Sequence, residues 1–480
     1  MSRQAPLRWL ASQSATRTVP STLRRTIFTV PPRASQAASL AACPEPEQGP
    51  VASGHDEFWR QIPMWRDVSV DQFTSYAWSK KNIVEHHKRS RSENLQGILR
   101  VVLPDSVPCD SSPNKLQRRE ELIEDVFQGI AASTMSLRLM PYIFSRINWQ
   151  DPRHDPIFRQ FFPVKSLMVP DHPKLKLDSL HENEDSPVDG VVHRYPDKAL
   201  FLPVSVCPTY CTFCTRSYAV GAEVSTFTKQ QMKPILKRWE HAFAYIESQP
   251  GLHDVVVSGG DAYYLAPDQL AYIGERLIKM KNIRKFRFAS KGLAVCPNRV
   301  LDPEDRWADA LIWVHRKALG AGKRMALHTH FNSPNEVSWI TQAACSKLVE
   351  AGVTIRNQTV LLRGVNDSVE TMSALIRTLA DSLRVAPYYV YQCDMVKNTE
   401  HLRTPLQTML DLETQIRGSI AGFDMPQFIV DLPEGGGKRL APTFLSYDRQ
   451  TGVSRYMAPA VKGKEKEDKV YEYYDPCIMA

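Results

Sequence analysis

Hydrophobic positions change their spacing along the chain near residue 197. Before it, residues 57–150 show mostly the three- and four-residue spacing of amphipathic helices, most clearly over 116–147, and predict a helical region. A loop is expected over 104–114, where Pro, Ser and Asp accumulate. The polar, proline-containing stretch 169–196 predicts a segment that wraps the surface before the main domain.

After residue 197, short β-rich runs alternate with longer amphipathic segments, the order expected of parallel βα units. The predicted strands are 199–206, 254–258, 284–289, 324–329, 354–362, 386–392 and 427–431. The predicted helices are 229–248, 266–281, 303–319, 336–351, 368–383 and 404–420. This pattern predicts an α/β fold built on a partial or complete (β/α) barrel. An open doubly wound sheet is the alternative, because periodicity does not show whether a sheet closes.

These shifts in pattern divide the chain into six segments. They are a leader over 1–43, a linker over 44–56, the helical region with its wrapping loops over 57–196, a barrel core over 197–425, a C-terminal extension with a Gly-rich turn over 426–460, and a charged, solvated tail over 461–480.

The leader has the composition of an organelle transit peptide, with six arginines and no acidic residue before Glu45. A disordered basic tail without an address is the alternative. When those six charges are set aside, the formal net charge falls from +8 to +2, which argues against nucleic acid as a partner. No apolar run approaches the roughly 18 residues needed to span a membrane. We therefore expect a protein of the mitochondrial matrix, or otherwise of the cytoplasm, without a membrane partner.

Three of the nine cysteines, Cys207, Cys211 and Cys214, crowd into eight residues directly after the first predicted barrel strand. This distribution is not that of a disulfide framework and favours a reducing compartment. A loop of this spacing can bring three thiolates to one metal centre. A 4Fe-4S cluster usually takes four Cys ligands, so three would leave one iron open to a substrate or cofactor. Zinc is the alternative, but it prefers paired Cys-x2-Cys units and four protein ligands.

Two other motifs stand at loop positions. The sequence Ser-Gly-Gly-Asp over 258–261 follows the second predicted strand, and Lys438 follows three glycines. Taken alone, each is a turn, the second with a solvated lysine. A phosphate-binding Walker loop is excluded, because Arg439 stands where that motif requires Ser or Thr.

The cysteine loop resembles that of the radical S-adenosylmethionine superfamily. The resemblance implies a barrel with a 4Fe-4S cluster on Cys207, Cys211 and Cys214 at its mouth, and S-adenosylmethionine on the open iron. The S-adenosylmethionine contacts it implies are Ser258, Gly259, Gly260, Asp261 and His330.

A narrower resemblance, to the lysine 2,3-aminomutase family, covers most of residues 57–450. The similar stretches are 185–197, 207–216, 258–262, 328–332, 361–367, 391–394 and 431–438. It implies an isomerase that interconverts L-lysine and L-β-lysine with the cluster, S-adenosylmethionine and pyridoxal 5'-phosphate as cofactors. A relative acting on another amino acid, or on a lysine destined for translation-factor modification, stays open. A non-catalytic scaffold is disfavoured by the retention of Lys438 and all three cysteines.

The same resemblance implies roles for single residues. Lys438 would form a Schiff base with pyridoxal phosphate. The implied pyridoxal phosphate contacts are Lys438, Arg194, Tyr195 and Lys198. Arg216 would bind the substrate carboxylate through its planar guanidinium. Asp367 and Asp431 would hold the distant ammonium of the substrate, and two carboxylates select a basic side chain.

Three departures from the family pattern accompany the resemblance. Lys198 replaces a usual arginine, residues 289–295 replace a Ser-Arg-Thr-Pro stretch, and Cys477 is the only cysteine near the C-terminus. We therefore expect no zinc site between subunits of the kind found in bacterial relatives. The partners implied are lysine and an electron donor of the flavodoxin or ferredoxin type, and a homo-oligomer is compatible with the sequence.

Overall fold

The computed structural model describes residues 56–86, 92–109, 112–230, 232–466 and 468–477. The leader expected over 1–43, and all but the last residue of the linker expected over 44–56, lie outside these described residues. Among the helices that are described, none combines the length and apolar character needed to cross a bilayer.

Strands and helices alternate through most of the described chain. The strands are β1 (Val84–His86), β2 (Ser106–Cys109), β3 (Ser112–Arg118), β4 (Leu137–Leu139), β5 (Val191–Val192), β6 (Lys198–Phe201), β7 (Asp254–Val257), β8 (Lys285–Ala289), β9 (Arg324–Thr329), β10 (Thr354–Leu361), β11 (Ala386–Gln392), β12 (Gln427–Leu432), β13 (Gly437–Leu440), β14 (Ser446–Asp448), β15 (Val453–Met457) and β16 (Val470–Tyr474). The α-helices are α1 (Val70–Thr74), α2 (Tyr76–Lys81), α3 (Ser92–Val102), α4 (Arg119–Ala132), α5 (Pro141–Ser145), α6 (Pro156–Phe161), α7 (Leu236–Glu247), α8 (Pro267–Lys279), α9 (Gly292–Val295), α10 (Asn298–Leu301), α11 (Trp307–Gly320), α12 (Trp339–Glu350), α13 (Val369–Arg377) and α14 (Leu406–Ile416).

Nine strands form the central sheet, and their order follows the chain from β5 to β13. Strands β6 to β12 are parallel, and at least one helix joins each to the next. Strands β5 and β13 close the two edges in the antiparallel sense. Side chains from every strand between β6 and β13 line one cavity, so the sheet is curled. Because its two edges do not pair in the described residues, it is a partial barrel.

All seven predicted barrel strands are confirmed. The doubly wound alternative is wrong, because such a sheet reverses its strand order and this one does not. The predicted helix at 229–248 begins only at Leu236. Pro234 explains the delay, since the residue before a proline is disfavoured in the helical conformation.

The N-terminal region packs on the barrel and shares its hydrophobic core. Trp59 and Phe73 stack with ring centroids 4.2 Å apart, and both belong to the same buried cluster as Phe286 of β8. The loop expected over 104–114 is wrong in part, because β2 and β3 form an antiparallel hairpin there. Proline and serine in that stretch are compatible with a short two-stranded ribbon, whose strands are all edge strands.

The C-terminal residues differ from the solvated tail expected over 461–480. Strand β16 pairs with β15 in a three-stranded sheet. Alternation along β16 places Tyr471 and Tyr473 on one face, where both are buried. The Tyr473 hydroxyl donates to the Cys393 carbonyl at 2.8 Å, so the end of the chain is tied to the segment after β11.

Helices α8 and α11 pack closely at Gly274, where a Cβ atom would lie 2.5 Å from Val314 Cγ1. We expect Gly274→Ala to lower the free energy of unfolding by about 1–2 kcal/mol, because overpacking outweighs the helix propensity gained. The control is Gly97→Ala in α3, where nothing lies within 4 Å of the added Cβ. It should raise stability by about 0.5–1 kcal/mol. Urea denaturation measures both, and a G274A protein as stable as G97A would contradict the close packing.

Candidate active site

A cavity of about 580 Å³ lies inside the partial barrel and falls in the usual size range of ligand sites. It contains most of the site residues predicted from the sequence. Those that line it are Cys207, Cys211, Cys214, Arg216, Ser258, Gly259, Gly260, Asp261, His330, Arg194, Tyr195, Lys198, Asp431 and Lys438.

The cysteine loop follows β6 and is held from outside the barrel. The Tyr210 N–H donates to the carbonyl of Arg138 at 3.0 Å, and the Thr212 N–H donates to the carbonyl of Gln160 at 2.9 Å. These acceptors lie in β4 and α6, so the N-terminal region positions the loop that carries the thiols.

The three thiols lie close enough to influence one another's ionisation. Burial raises the pKa of all three, to about 12 for Cys211, and neighbouring thiols add to the increase for Cys207 and Cys211. Each thiol is therefore protonated without metal, and a metal centre would have to displace those protons. Among the residues described, no three His, Cys, Asp or Glu side chains have the geometry to hold a metal ion. The ligand role of the thiols therefore stays a prediction.

The Ser-Gly-Gly-Asp turn packs against the chain that leads into the cysteine loop. The Gly260 N–H donates to the Val204 carbonyl at 2.6 Å, and the Asp261 N–H donates to the Val206 carbonyl at 3.1 Å. Gly259 has a φ of 94°, and a Cβ there would overlap the Val204 carbonyl. Glycine is thus required for this close approach. The turn's contact with S-adenosylmethionine stays a prediction.

Asp261 and His330 are fixed within the cavity wall. The Asp261 carboxylate accepts the N–H of Tyr263 at 2.7 Å and that of Lys291 at 2.8 Å, which joins the ends of β7 and β8. Burial lowers the pKa of His330 well below its usual value, so the ring is neutral. His330 Nε2 donates to Asn332 Oδ1 at 3.1 Å, since that oxygen also accepts the Val360 N–H. His330 Nδ1 is then the acceptor of the ring.

Lys438 lies opposite Asp431 in the antiparallel pair of β12 and β13, and its ammonium donates to Asp431 Oδ2. Burial alone would lower the pKa of Lys438, but the Asp431 carboxylate outweighs it and raises that pKa well above its ordinary value. Asp431 Oδ1 is buried without a hydrogen-bond partner in the described structure. The Tyr391 ring lies beneath the amine, with its centroid 5.3 Å from Nζ.

Asp367 does not meet Asp431. It is absent from the described cavity lining, and its carboxylate accepts the Gly364 N–H at 2.9 Å in the loop after β10. The structure places Asp394 beside Asp431 instead. Burial raises the pKa of Asp394 to about 7, and the negative charge of Asp431 contributes. The described cavity therefore brings Asp394, and not Asp367, together with Asp431, and a substrate role for Asp367 stays a prediction. A signal for Asp394 existed, because it stands two residues after the end of strand β11.

Arg216 lines the cavity, but a carboxylate already pairs with it. Its Nε and Nη2 donate to Glu182 at 2.8 and 2.7 Å, while Nη1 lies 3.4 Å from Ser258 Oγ. Glu182 belongs to the polar stretch expected to wrap the surface, and nothing in the local pattern distinguished it from its exposed neighbours.

The three expected pyridoxal phosphate contacts besides Lys438 are held by different partners. Arg194 donates to Asp185 and to the Leu180 carbonyl, which hold its guanidinium in place. The Tyr195 hydroxyl accepts the backbone N–H of Lys438 at 3.0 Å. The Lys198 ammonium lies 4.1 Å from the Tyr195 ring centroid, and its contact with pyridoxal phosphate stays a prediction.

The fold and this site define a partial (β/α) barrel of the radical S-adenosylmethionine type. No protein-family model matches the chain. L-lysine 2,3-aminomutase of Clostridium subterminale is 34% identical over 381 residues, which is 79% of this chain and 80% of the relative. That of Fusobacterium nucleatum is 37% identical over 329 residues, 68% and 72% of the two chains. Glutamate 2,3-aminomutase of Clostridioides difficile is 32% identical over 307 residues, 63% and 68%. The chain belongs to the lysine 2,3-aminomutase family and is an isomerase.

The approach of Gly259 to Val204 allows a test of the cysteine loop. We expect Gly259→Ala to displace the loop, because its Cβ would overlap a backbone carbonyl and its φ of 94° disfavours a side chain. Iron and sulfide per chain after anaerobic reconstitution should fall to less than about half. Gly251→Ala is the control, since its Cβ would meet only the Pro196 carbonyl at 3.6 Å. Equal iron content in the two variants would contradict this account of the loop.

Proposed function

We propose that this protein interconverts L-lysine and L-β-lysine by moving the α-amino group to the neighbouring carbon. The observation that carries the proposal is the arrangement of Lys438, Asp431 and Asp394 in the same cavity as Arg216. The cavity thus offers carboxylates for an ammonium and a guanidinium for a carboxylate, the two charged ends of a basic amino acid.

The cavity contains candidate residues for the three cofactors of the family. Cys207, Cys211 and Cys214 would hold a 4Fe-4S cluster, and Lys438 would bind the aldehyde of pyridoxal phosphate. The cluster with S-adenosylmethionine supplies a radical that removes hydrogen, and pyridoxal phosphate supplies a π system through which nitrogen can migrate. Two features of the described residues support ligand binding here. Asp431 Oδ1 is buried without a hydrogen-bond partner, and the cysteine thiols have raised pKa values.

The charges near Lys438 favour a basic substrate. Asp394 and Asp431 offer two carboxylates against the single ammonium of Lys438. Once the Lys438 amine is engaged by a cofactor, both carboxylates lose that cation, and the distant ammonium of lysine would replace it. A second carboxylate, as in glutamate, would be repelled. A relative acting on ornithine or a lysine derivative is the remaining candidate, because it would meet the same charges.

Tyrosines of β11 line the cavity in this region. Tyr388 and Tyr389 stack with centroids 3.8 Å apart, and Tyr389 meets Tyr391 edge-on at 5.4 Å. Excluding water strengthens the interactions of the nearby charges and protects reactive species.

The proposal also includes a cellular location and an electron donor. The arginine-rich leader supports import into the mitochondrial matrix. Reduction of a cluster on the cysteine loop needs an external electron donor, for which a flavodoxin or ferredoxin type is the proposed class.

The activity and the role of Lys438 can be tested together. Anaerobically reconstituted protein, given both cofactors, a reductant and L-lysine, should form β-lysine. Lys438→Ala should form none and should lose the absorbance of lysine-bound pyridoxal phosphate, because its side chain supplies the only proposed nucleophile for the aldehyde. Iron content should remain unchanged in this variant. Absence of β-lysine from fully loaded wild-type protein rejects lysine as the substrate, and persistence of the absorbance in K438A rejects the pyridoxal assignment.

Substrate binding should depend on pH through Asp394. With a pKa of about 7, Asp394 is protonated below that pH in the free protein, whereas a bound ammonium favours its ionised form. Lysine affinity should therefore fall as pH drops below 7, by up to about tenfold per pH unit. Calorimetric titration of cofactor-loaded protein between pH 6 and 8 measures this.

Two variants identify the group responsible. Asp394→Asn should weaken binding and abolish this part of the pH dependence, while Asp367→Asn should retain both affinity and pH dependence. The opposite result would restore the original pairing of Asp367 with Asp431.

A further inference from the structure

Glu182 is a buried acid in direct contact with the cavity-lining Arg216. Its side chain is 3% exposed and accepts Arg216 Nε and Nη2 at 2.8 and 2.7 Å. The Tyr218 hydroxyl donates to the same carboxylate at 2.9 Å. Three donors therefore hold a charge that would be costly to bury alone.

The position of Glu182 is itself fixed by its own segment. Its backbone N–H donates to Asp178 Oδ1 at 2.9 Å, and the Ser186 hydroxyl donates to its carbonyl at 2.7 Å. Burial would raise the pKa of Glu182, but Arg216 outweighs it and lowers that pKa, so the carboxylate is ionised at neutral pH.

A guanidinium has more than one edge that can bind a carboxylate with two hydrogen bonds. Glu182 occupies the edge formed by Nε and Nη2 of Arg216. The Nη1 group donates only a long hydrogen bond of 3.4 Å to Ser258 Oγ, at the end of β7 in the cavity wall, so one of its two N–H groups remains for a ligand. Glu182 therefore leaves Arg216 able to bind a second carboxylate, in one plane and from one direction.

We infer that Glu182 is a positioning residue that holds Arg216 so that its free edge meets the α-carboxylate of the substrate. The Arg216–Glu182 pair is neutral as a whole, so a carboxylate is recognised by directed hydrogen bonds rather than by excess positive charge. Fixing the long arginine side chain in advance also reduces the entropy lost on binding. The inference rests on the proposed function for the identity of the substrate.

The test compares L-lysine with 1,5-diaminopentane, which has the same two nitrogens but no carboxylate. Calorimetric titration of cofactor-loaded protein without reductant measures binding in the absence of turnover. Glu182→Gln should weaken lysine binding by at least about thirtyfold, because the amide cannot accept both guanidinium N–H groups. Binding of the diamine should change by less than about twofold. Tyr218→Phe should weaken lysine binding by about fivefold, in the same selective manner.

The control is Glu240→Gln, which disrupts an ion pair with Arg276 outside the cavity and should alter neither affinity. A variant E182Q that binds both ligands more weakly by the same factor, or neither more weakly, overturns the positioning role. If wild-type protein itself binds lysine no better than the diamine, the proposed role of Arg216 in substrate binding fails instead. The two failures are therefore distinguishable.

Discussion

The antiparallel pairing of β12 with β13 is the constraint on which the site depends. It places Lys438 directly opposite Asp431, so that an amine and a carboxylate share one side of the sheet edge. The return requires a tight turn, and Gly435 and Gly437 adopt φ values of 77° and 79° that disfavour other residues. Because the barrel is open at this edge, the Lys438 amine is carried by a strand that adds to the sheet rather than by a loop.

Near the opposite end of the sheet, backbone hydrogen bonds hold the cysteine loop. Strand β6 leads into the cysteine loop, which the N-terminal region and the glycine turn after β7 hold from two sides. Backbone hydrogen bonds therefore fix the path of the loop that carries the three thiols. The raised pKa of these thiols would link assembly of a cluster to pH, because a metal centre would have to displace their protons.

Two ion pairs in the cavity each leave one charged group with hydrogen-bonding capacity that the pair does not use. Glu182 accepts from one edge of the Arg216 guanidinium, and Lys438 donates to only one of the two Asp431 oxygens. Each unsatisfied edge suits one end of an amino acid with a cationic side chain. The proposed selectivity thus follows from these hydrogen-bonding groups, because a buried polar group without a partner favours a ligand that forms the missing hydrogen bond.

The sequence by itself determined the seven barrel strands, the cysteine loop and the glycine turn before Lys438, because each is a local signal of periodicity or short spacing. It did not determine which carboxylates converge. Asp367 and Asp394 both follow barrel strands. Only the paths of the two loops decide that Asp394 approaches Asp431, whereas Asp367 accepts the backbone N–H of Gly364. The contacts of Glu182 and of the buried tyrosines of β16 also depend on tertiary structure. A contact between residues far apart in the chain leaves no periodic pattern in either segment.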